Sequence, residues 1–322
     1  MEKRGLGNTG YQITPIGLGA WAIGGGNWAF GWGPQDDRQS IATIHRAVDL
    51  GINWIDTAAV YGLGHSEEIV ARALAELPKW RRPLVFTKCS LVWNEKGKVS
   101  HSLKPESLRV EIEASLRRLD IDTIDLYQIH WPAFGAAFKD PDTPGLEQAW
   151  QTMVDLKKEG KVRAISVSNY TAHQMERIRH IAPIAALQPA YSILARGVEA
   201  ETLPYCGAHG IGVIVYSPMK SGLLSGKMTR ERIAAMPQDD WRRYHKDFTE
   251  PELTKNLKLV EKLRAIGKRH ACSPGEIAIA WTLNHPAVTA AIVGARRPEQ
   301  VDGFIGAAKV ELTPGELDEI AS

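Results

Sequence analysis

Eight short apolar runs, each followed by an amphipathic helical pattern apart from loop insertions, leave this chain few ways to fold. The runs cover residues 13–18, 52–56, 84–87, 124–129, 162–167, 185–187, 213–216 and 288–293. Helical patterns cover 37–50, 66–75, 105–119, 144–158, 172–180, about 199–209, 253–270, 274–283 and 298–306, with a short one after Pro314. Loops are expected at 93–101 and 131–143, and Ser66 could cap the helix it opens. Runs that are apolar throughout, rather than alternating, predict parallel strands buried on both faces. Eight such units make a closed (β/α)8 TIM barrel of about 250 residues. The 322-residue chain then has room for an N-terminal β-hairpin, signalled by Gly5, Gly7 and Asn8-Thr9-Gly10, for loops, and for extra C-terminal helices. No shift of composition marks a second domain, so one barrel domain over 1–322 is expected.

An open, doubly wound sheet is the competing architecture, and it predicts a phosphate fingerprint after the first strand. Gly17, Gly19 and Ala22 fit G-x-G-x-x-A, but a loop rich in glycine and tryptophan follows where that motif must open a helix. Barrels instead place their sites at the carboxyl ends of the strands. Asp56, Lys88, His130, Asn169, Gln188 and Tyr216 all fall there.

These residue types suit one piece of chemistry. A carbonyl accepts a hydride only if its oxygen is polarised and given a proton. Free tyrosine, with a pKa of about 10, exchanges protons poorly near neutrality. A neighbouring ammonium favours the phenolate, and a carboxylate fixes the ammonium. Tyr61, Lys88 and Asp56 can fill these three roles, and His130 can bond the carbonyl oxygen or relay a proton. Each also has a plainer reading. Asp56 could cap a helix or form a structural ion pair, His130 could be a bonded core histidine, and Lys88 could be a Schiff-base nucleophile as in barrel aldolases. Their order at neighbouring strand ends favours the proton-transfer group.

Composition excludes other classes. A formal charge of +2 offers no basic excess for nucleic acid. The three cysteines fit no metal spacing and suit a reducing compartment. With neither a signal-like apolar amino terminus nor a run long enough to span a bilayer, a cytoplasmic protein without membrane contact is expected.

Asp56-Thr57-Ala58-x-x-Tyr61-Gly62, Gly64-x-Ser66-Glu67, Lys88 and Asp125-Leu126-Tyr127-x-Ile129-His130 together resemble the aldo-keto reductase superfamily, along the whole chain. Within it the sequence is similar to bacterial NADPH-dependent reductases of simple and sugar-like aldehydes. The resemblance implies a barrel without a Rossmann domain, a tyrosine acid–base, and NADP(H) as cofactor. Ser168, Asn169 and Gln188 match positions that hold the nicotinamide carboxamide, and Tyr216 matches the ring stacked on the nicotinamide. The stretch Ser217, Pro218, Met219, Gly222, Leu224, Gly226 and Lys227 matches the loop over the pyrophosphate. Gly294, Arg296 and Gln300 match the adenosine-phosphate clamp, where Arg296 could pair with a 2′-phosphate. One departure stands out: Phe304 occupies the place where the family commonly has an asparagine against the adenine.

Ten tryptophans are the compositional oddity. Trp21, Trp28, Trp32, Trp93, Trp131 and Trp241 fall in loops expected to ring the barrel mouth, where aromatic walls would suit the apolar faces of a sugar-derived aldehyde; packing under loops is the alternative. Two further readings stay open: a cofactor-binding regulatory module resembling channel β subunits, and an aldolase using Lys88. The sequence leaves the oligomeric state, the physiological carbonyl and the preferred direction undetermined.

Overall fold

The computed structural model describes residues 1–26, 28–133, 142–238 and 240–322. Eight parallel strands close into a barrel: β3 (Ile16–Gly19), β4 (Trp54–Asp56), β5 (Leu84–Cys89), β8 (Ile124–Ile129), β9 (Val162–Ser168), β10 (Ala186–Gln188), β11 (Gly212–Tyr216) and β12 (Ala290–Gly294), with β12 pairing back onto β3. Two hairpins stand outside it: β1 (Arg4–Gly5) with β2 (Gln12–Ile13), and β6 (Leu91–Trp93) with β7 (Val99–His101). Around the barrel run α1 (Asp37–Asp49), α2 (His65–Ala75), α3 (Pro105–Leu119), α4 (Leu146–Lys158), α5 (Ala172–Arg179) and α6 (Thr202–Ala208). They are joined by α7 (Arg230–Ala234), α8 (Glu252–Arg269), α9 (Pro274–Leu283), α10 (Pro298–Asp302) and α11 (Pro314–Ala321).

The expected fold class is the observed one, with local differences that have physical causes. The first expected strand, 13–18, is two strands: Ile13 pairs with Arg4 in the outer hairpin, and the barrel strand starts at Ile16. Pro15 lies between them and has no N–H to give to a ladder. The expected loop from Trp93 to His101 is a hairpin, β6–β7. Its turn is tied by Asn94, whose side-chain oxygen accepts from the backbone N–H of Lys96 and Lys98 at 3.0 Å. Ser66 does not cap α2; the helix starts at His65 behind Gly64 in the left-handed region, and the Ser66 hydroxyl donates inward to the carbonyl of Ala20 at 2.9 Å. Residues 134–141 of the loop expected after Trp131 lie outside the described residues.

The barrel interior is graded along its axis. Near the amino ends Trp54, Phe86, Leu126, Ala164, Ala186, Ile214 and Ala290 form an apolar cluster, and Leu6 and Ile13 of the outer hairpin join it. Trp54 is fully buried, and its indole N–H donates to the carbonyl of Thr14 at 2.9 Å. Strand alternation then brings Asp56, Lys88, Gln128 and Gln188 into the next layer toward the carboxyl ends, because residues two apart share a face.

Gly17 is what lets β3 lie against that tryptophan: a Cβ there would come within 2.2 Å of the Trp54 ring. Gly17→Ala is expected to destabilise the fold by about 1–3 kcal/mol through overpacking. A urea titration checks this by a lowered midpoint with an unchanged slope.

Candidate active site

Strand β5 alternates, so that Phe86 and Lys88 face the barrel axis while Thr87 faces outward, where its hydroxyl donates to Glu67 at 2.6 Å. Lys88 is 1 % exposed, and its ammonium donates to three acceptors. These are Asp56 Oδ1 at 2.5 Å, the Thr57 carbonyl at 2.8 Å and the Tyr61 hydroxyl at 3.2 Å. An ammonium has three N–H groups, and each has one partner here.

Tyr61 opens a 3-10 turn in which Gly62 and Leu63 take left-handed conformations. Glycine is required at 62, since a Cβ would lie 2.2 Å from the Gly24 carbonyl oxygen. That close approach sets the loop after β4 against the loop after β3. The Trp21 ring stacks nearly parallel to Tyr61 at 5.8 Å, and the His130 ring meets it edge-on at 5.7 Å. The imidazole nitrogens of His130 make no hydrogen bond among the described residues.

Burial corrects one expectation. Tyr61 was expected to have its pKa lowered by the ammonium; it is instead raised well above 10, by burial and then by the Asp56 carboxylate, both of which favour the neutral phenol. Burial also lowers Lys88, against the opposing pull of Asp56 and Glu67, and lowers His130 well below its ordinary value with Lys88 adding to the effect. The site therefore presents a protonated phenol and a neutral imidazole. A neutral imidazole serves as a hydrogen-bond donor to a carbonyl oxygen, not as a cationic acid.

Of the residues expected at the nicotinamide, Ser168, Asn169, Gln188 and Tyr216 lie together. The Tyr216 hydroxyl donates to Asn169 Oδ1 at 2.9 Å, and Asn169 Nδ2 donates to the His130 carbonyl and to the Ser168 hydroxyl, both at 3.0 Å. The Ser168 hydroxyl donates to the Gln188 carbonyl at 2.8 Å, but the Gln188 side chain turns to the proton-transfer group, its amide donating to Asp56 Oδ2 at 2.8 Å. Gln128, which the sequence reading passed over, donates to the same oxygen at 3.1 Å. A lone amide two residues before His130 in an apolar run was the available signal.

After β11 the chain makes a compact loop through Ser217, buried Pro218, Met219 and Gly222 to Leu224, Gly226 and the exposed Lys227. Ser217, Lys220 and Ser221 have positive φ, as do Gly222 and Gly226. Among the described residues the backbone N–H groups of Ser217, Met219, Ser221 and Gly222 make no hydrogen bond, and free amides in such a loop can take an anion. Near the end of β12, Gly294 sits beside Gly19, and Gln300 accepts from the backbone N–H of Arg296 at 2.6 Å and of Arg297 at 3.2 Å. The Arg296 guanidinium is tied to the tryptophan-rich loop, donating to Gln35 Oε1 at 2.6 Å, the Trp32 carbonyl at 3.2 Å and the Pro34 carbonyl. Phe304 is 3 % exposed and belongs to the main core.

The tryptophans divide. Trp21, Trp28 and Trp131 pack with Tyr61, Val60 and Leu91, and Trp32 lies 6.1 Å from Trp21. Trp93 lies 5.7 Å below the Arg118 guanidinium, and Trp241 packs on His245 and Phe248, both outside that cluster. Among the described residues no group of His, Cys, Asp and Glu could hold a metal, and no helix is long and apolar enough to cross a membrane.

Residues 15–322 match the model of the Aldo/keto reductase family. The chain is 39 % identical over 305 residues to aldo-keto reductase YhdN of Bacillus subtilis, covering 94 % of this chain and 88 % of that protein. It is 37 % identical over 325 residues to the NADH-specific methylglyoxal reductase of Escherichia coli, covering 97 % and 95 %. Among solved structures, the glycerol dehydrogenase AKR11B4 from Gluconobacter oxydans superposes with a TM-score of 0.87 at 38 % identity, covering 99 % of this chain and 94 % of that one.

Because His130 is held neutral, its contribution to stability is complete above the unfolded value of about 6.5 and is lost as pH falls below it toward the depressed folded value. The native protein should thus lose up to about 1.4 kcal/mol per pH unit through this residue below that point. His130→Gln is expected to flatten that fall, measured as urea stability at pH 7 and pH 5.

Proposed function

The chain belongs to the aldo/keto reductase family, and from that premise we propose that it reduces small oxygenated aldehydes with NADPH, using Tyr61 as the proton donor. The observation that carries this reading is the buried contact of Lys88 with both Asp56 and Tyr61. A nicotinamide cofactor supplies the hydride when bound. Ser168, Asn169 and Tyr216 would hold its nicotinamide end, and the unbonded amides of the loop after β11 its phosphates.

The chain's own residues do the rest. Tyr61 starts protonated, as an acid must. It delivers that proton to an oxygen that becomes strongly basic as the carbonyl is reduced, so a raised pKa is no obstacle in this direction. The Lys88 ammonium, hydrogen-bonded to the phenol oxygen, stabilises the phenolate left behind. His130 donates a hydrogen bond to the carbonyl oxygen and orients it. Stacked Trp21 and nearby Trp28 and Trp131 exclude water and offer flat apolar faces.

For the cofactor form, a groove between the start of α1 and the start of α10 is lined by Arg38, Gln39, Arg297 and Glu299, beside Arg296. This local excess of positive charge favours a cofactor with an extra phosphate. The E. coli relative is NADH-specific, so the preference is a property to be measured in this chain. For the carbonyl, methylglyoxal and glycerol in the names of two relatives are both three-carbon oxygenated molecules. That supports a small oxygenated aldehyde, and the tryptophan wall extends the reading to sugar-derived ones.

Steady-state cofactor oxidation over a panel of aldehydes, ketones and oxidised sugars tests this reading. Turnover with small hydroxylated aldehydes is expected, with kcat/KM higher for NADPH than for NADH; negligible turnover on every carbonyl would overturn it. Lys88→Met should lower kcat by about 100-fold or more. Trp21→Ala and Trp131→Ala should each raise KM for sugar aldehydes by about tenfold, about 1.4 kcal/mol of lost contact. Unchanged KM in both would remove the sugar reading and leave the reductase intact.

A further inference from the structure

We infer that Gln128 is a positioning residue for the proton-transfer group: its side-chain amide, with that of Gln188, fixes the Asp56 carboxylate so that Lys88 keeps an N–H on the Tyr61 hydroxyl. The kinetic consequence rests on the reductase reading; the geometry does not.

Gln128 sits level with Lys88 on β5 and with Ser166 on β9, as direct register partners. It is completely buried and faces the barrel axis, two residues on from Leu126 in the apolar layer. A buried amide is costly unless it is bonded, and a leucine would fill the same space. Only the NH2 end of a glutamine can face a carboxylate, which fixes its orientation. That end donates to Asp56 Oδ2 at 3.1 Å, while its own Oε1 accepts from Gln188 Nε2 at 3.3 Å. Gln188 in turn donates to Asp56 Oδ2 at 2.8 Å. The three side chains form a closed triangle behind the ion pair.

The terminal torsion of an aspartate is soft and broadly populated, so partners must hold the plane of the carboxylate. Lys88 holds Oδ1. With Oδ2 held from two strands on the far side, the carboxylate cannot swing, and the ammonium it anchors keeps its orientation toward Thr57 and Tyr61. Loss of the Gln128 amide removes one bond to Oδ2 and also the acceptor that steadies Gln188. Besides Asp56 itself, the titratable groups around this triangle are Lys88, Tyr61, His130 and Tyr216, with Glu67 acting on Lys88 from behind β5.

Two substitutions test the inference. Gln128→Met keeps the volume and removes both bonds. It should lower kcat by between about 10- and 100-fold, the scale of a small misplacement at a reacting centre, with KM for the cofactor changed less than about twofold. In cofactor-free protein, side-chain 15N NMR should show Lys88 losing its proton at lower pH than in the wild type, as its anchor loosens. Gln128→Glu should work well in acid, where the new carboxyl is protonated and donates to Asp56 as the amide does. Its kcat should fall as pH rises and a second negative charge faces Asp56.

Unchanged kcat and Lys88 titration in Gln128→Met, or a Gln128→Glu profile parallel to the wild type, would overturn the positioning role. If Gln128→Met fails to fold, the profile of Gln128→Glu decides. If the wild-type protein turns over no carbonyl with either cofactor, the reductase reading falls, and the Lys88 titration alone judges Gln128.

Discussion

A lysine ammonium buried inside a barrel is the constraint on which the rest of the site depends. Removing such a charge from water costs several kcal/mol, and Lys88 at 1 % exposure recovers this through hydrogen bonds to Asp56, Thr57 and Tyr61, with the Glu67 charge adding to them. Each partner comes from a different place: a strand end, the backbone after it, and a glycine-dependent turn. The ion pair therefore fixes the relative position of β4, β5 and the loop that carries Tyr61. The same pair sets the electrostatics around it. Desolvation keeps the phenol and the imidazole neutral, while the ammonium stands within hydrogen-bond reach of the phenolate that proton donation would create.

The barrel makes this arrangement possible by separating two kinds of interior. Trp54 and Phe86, with the small residues opposite them, form a dry floor, and the outer hairpin closes it from the amino side. Polar side chains appear only in the layers above. Lys88 stands directly above Phe86 on its strand and Asp56 directly above Trp54, so an ordinary two-residue alternation converts a packed floor into a charged site.

Much of this was legible in the sequence because barrel strands are short, apolar and closely followed by helices. The strand-end residues Asp56, Lys88 and His130 stood out as polar groups closing apolar runs. What escaped notice depended on pairing across the chain. Gln128 lies within an apolar run, and its purpose becomes visible only when β8 lies beside β5. Arg296 read as a partner for a 2′-phosphate, whereas its guanidinium is bonded to the Gln35 side chain and to the carbonyls of Trp32 and Pro34. Trp93 and Trp241 carried the same aromatic signal as Trp21, yet a cation on α3 and the rings of His245 and Phe248 hold them away from Tyr61. The direction of the Tyr61 shift was misjudged for a related reason: burial exceeds a single charge contact, and burial is not written in the local sequence.

Single-turnover hydride transfer in Tyr61→Phe tests the central claim most directly, because it isolates the chemical step from binding and release. The rate should fall by at least about 100-fold, with cofactor affinity changed by less than about twofold. Transfer at the wild-type rate, with the phenol oxygen gone, would contradict Tyr61 as the proton donor.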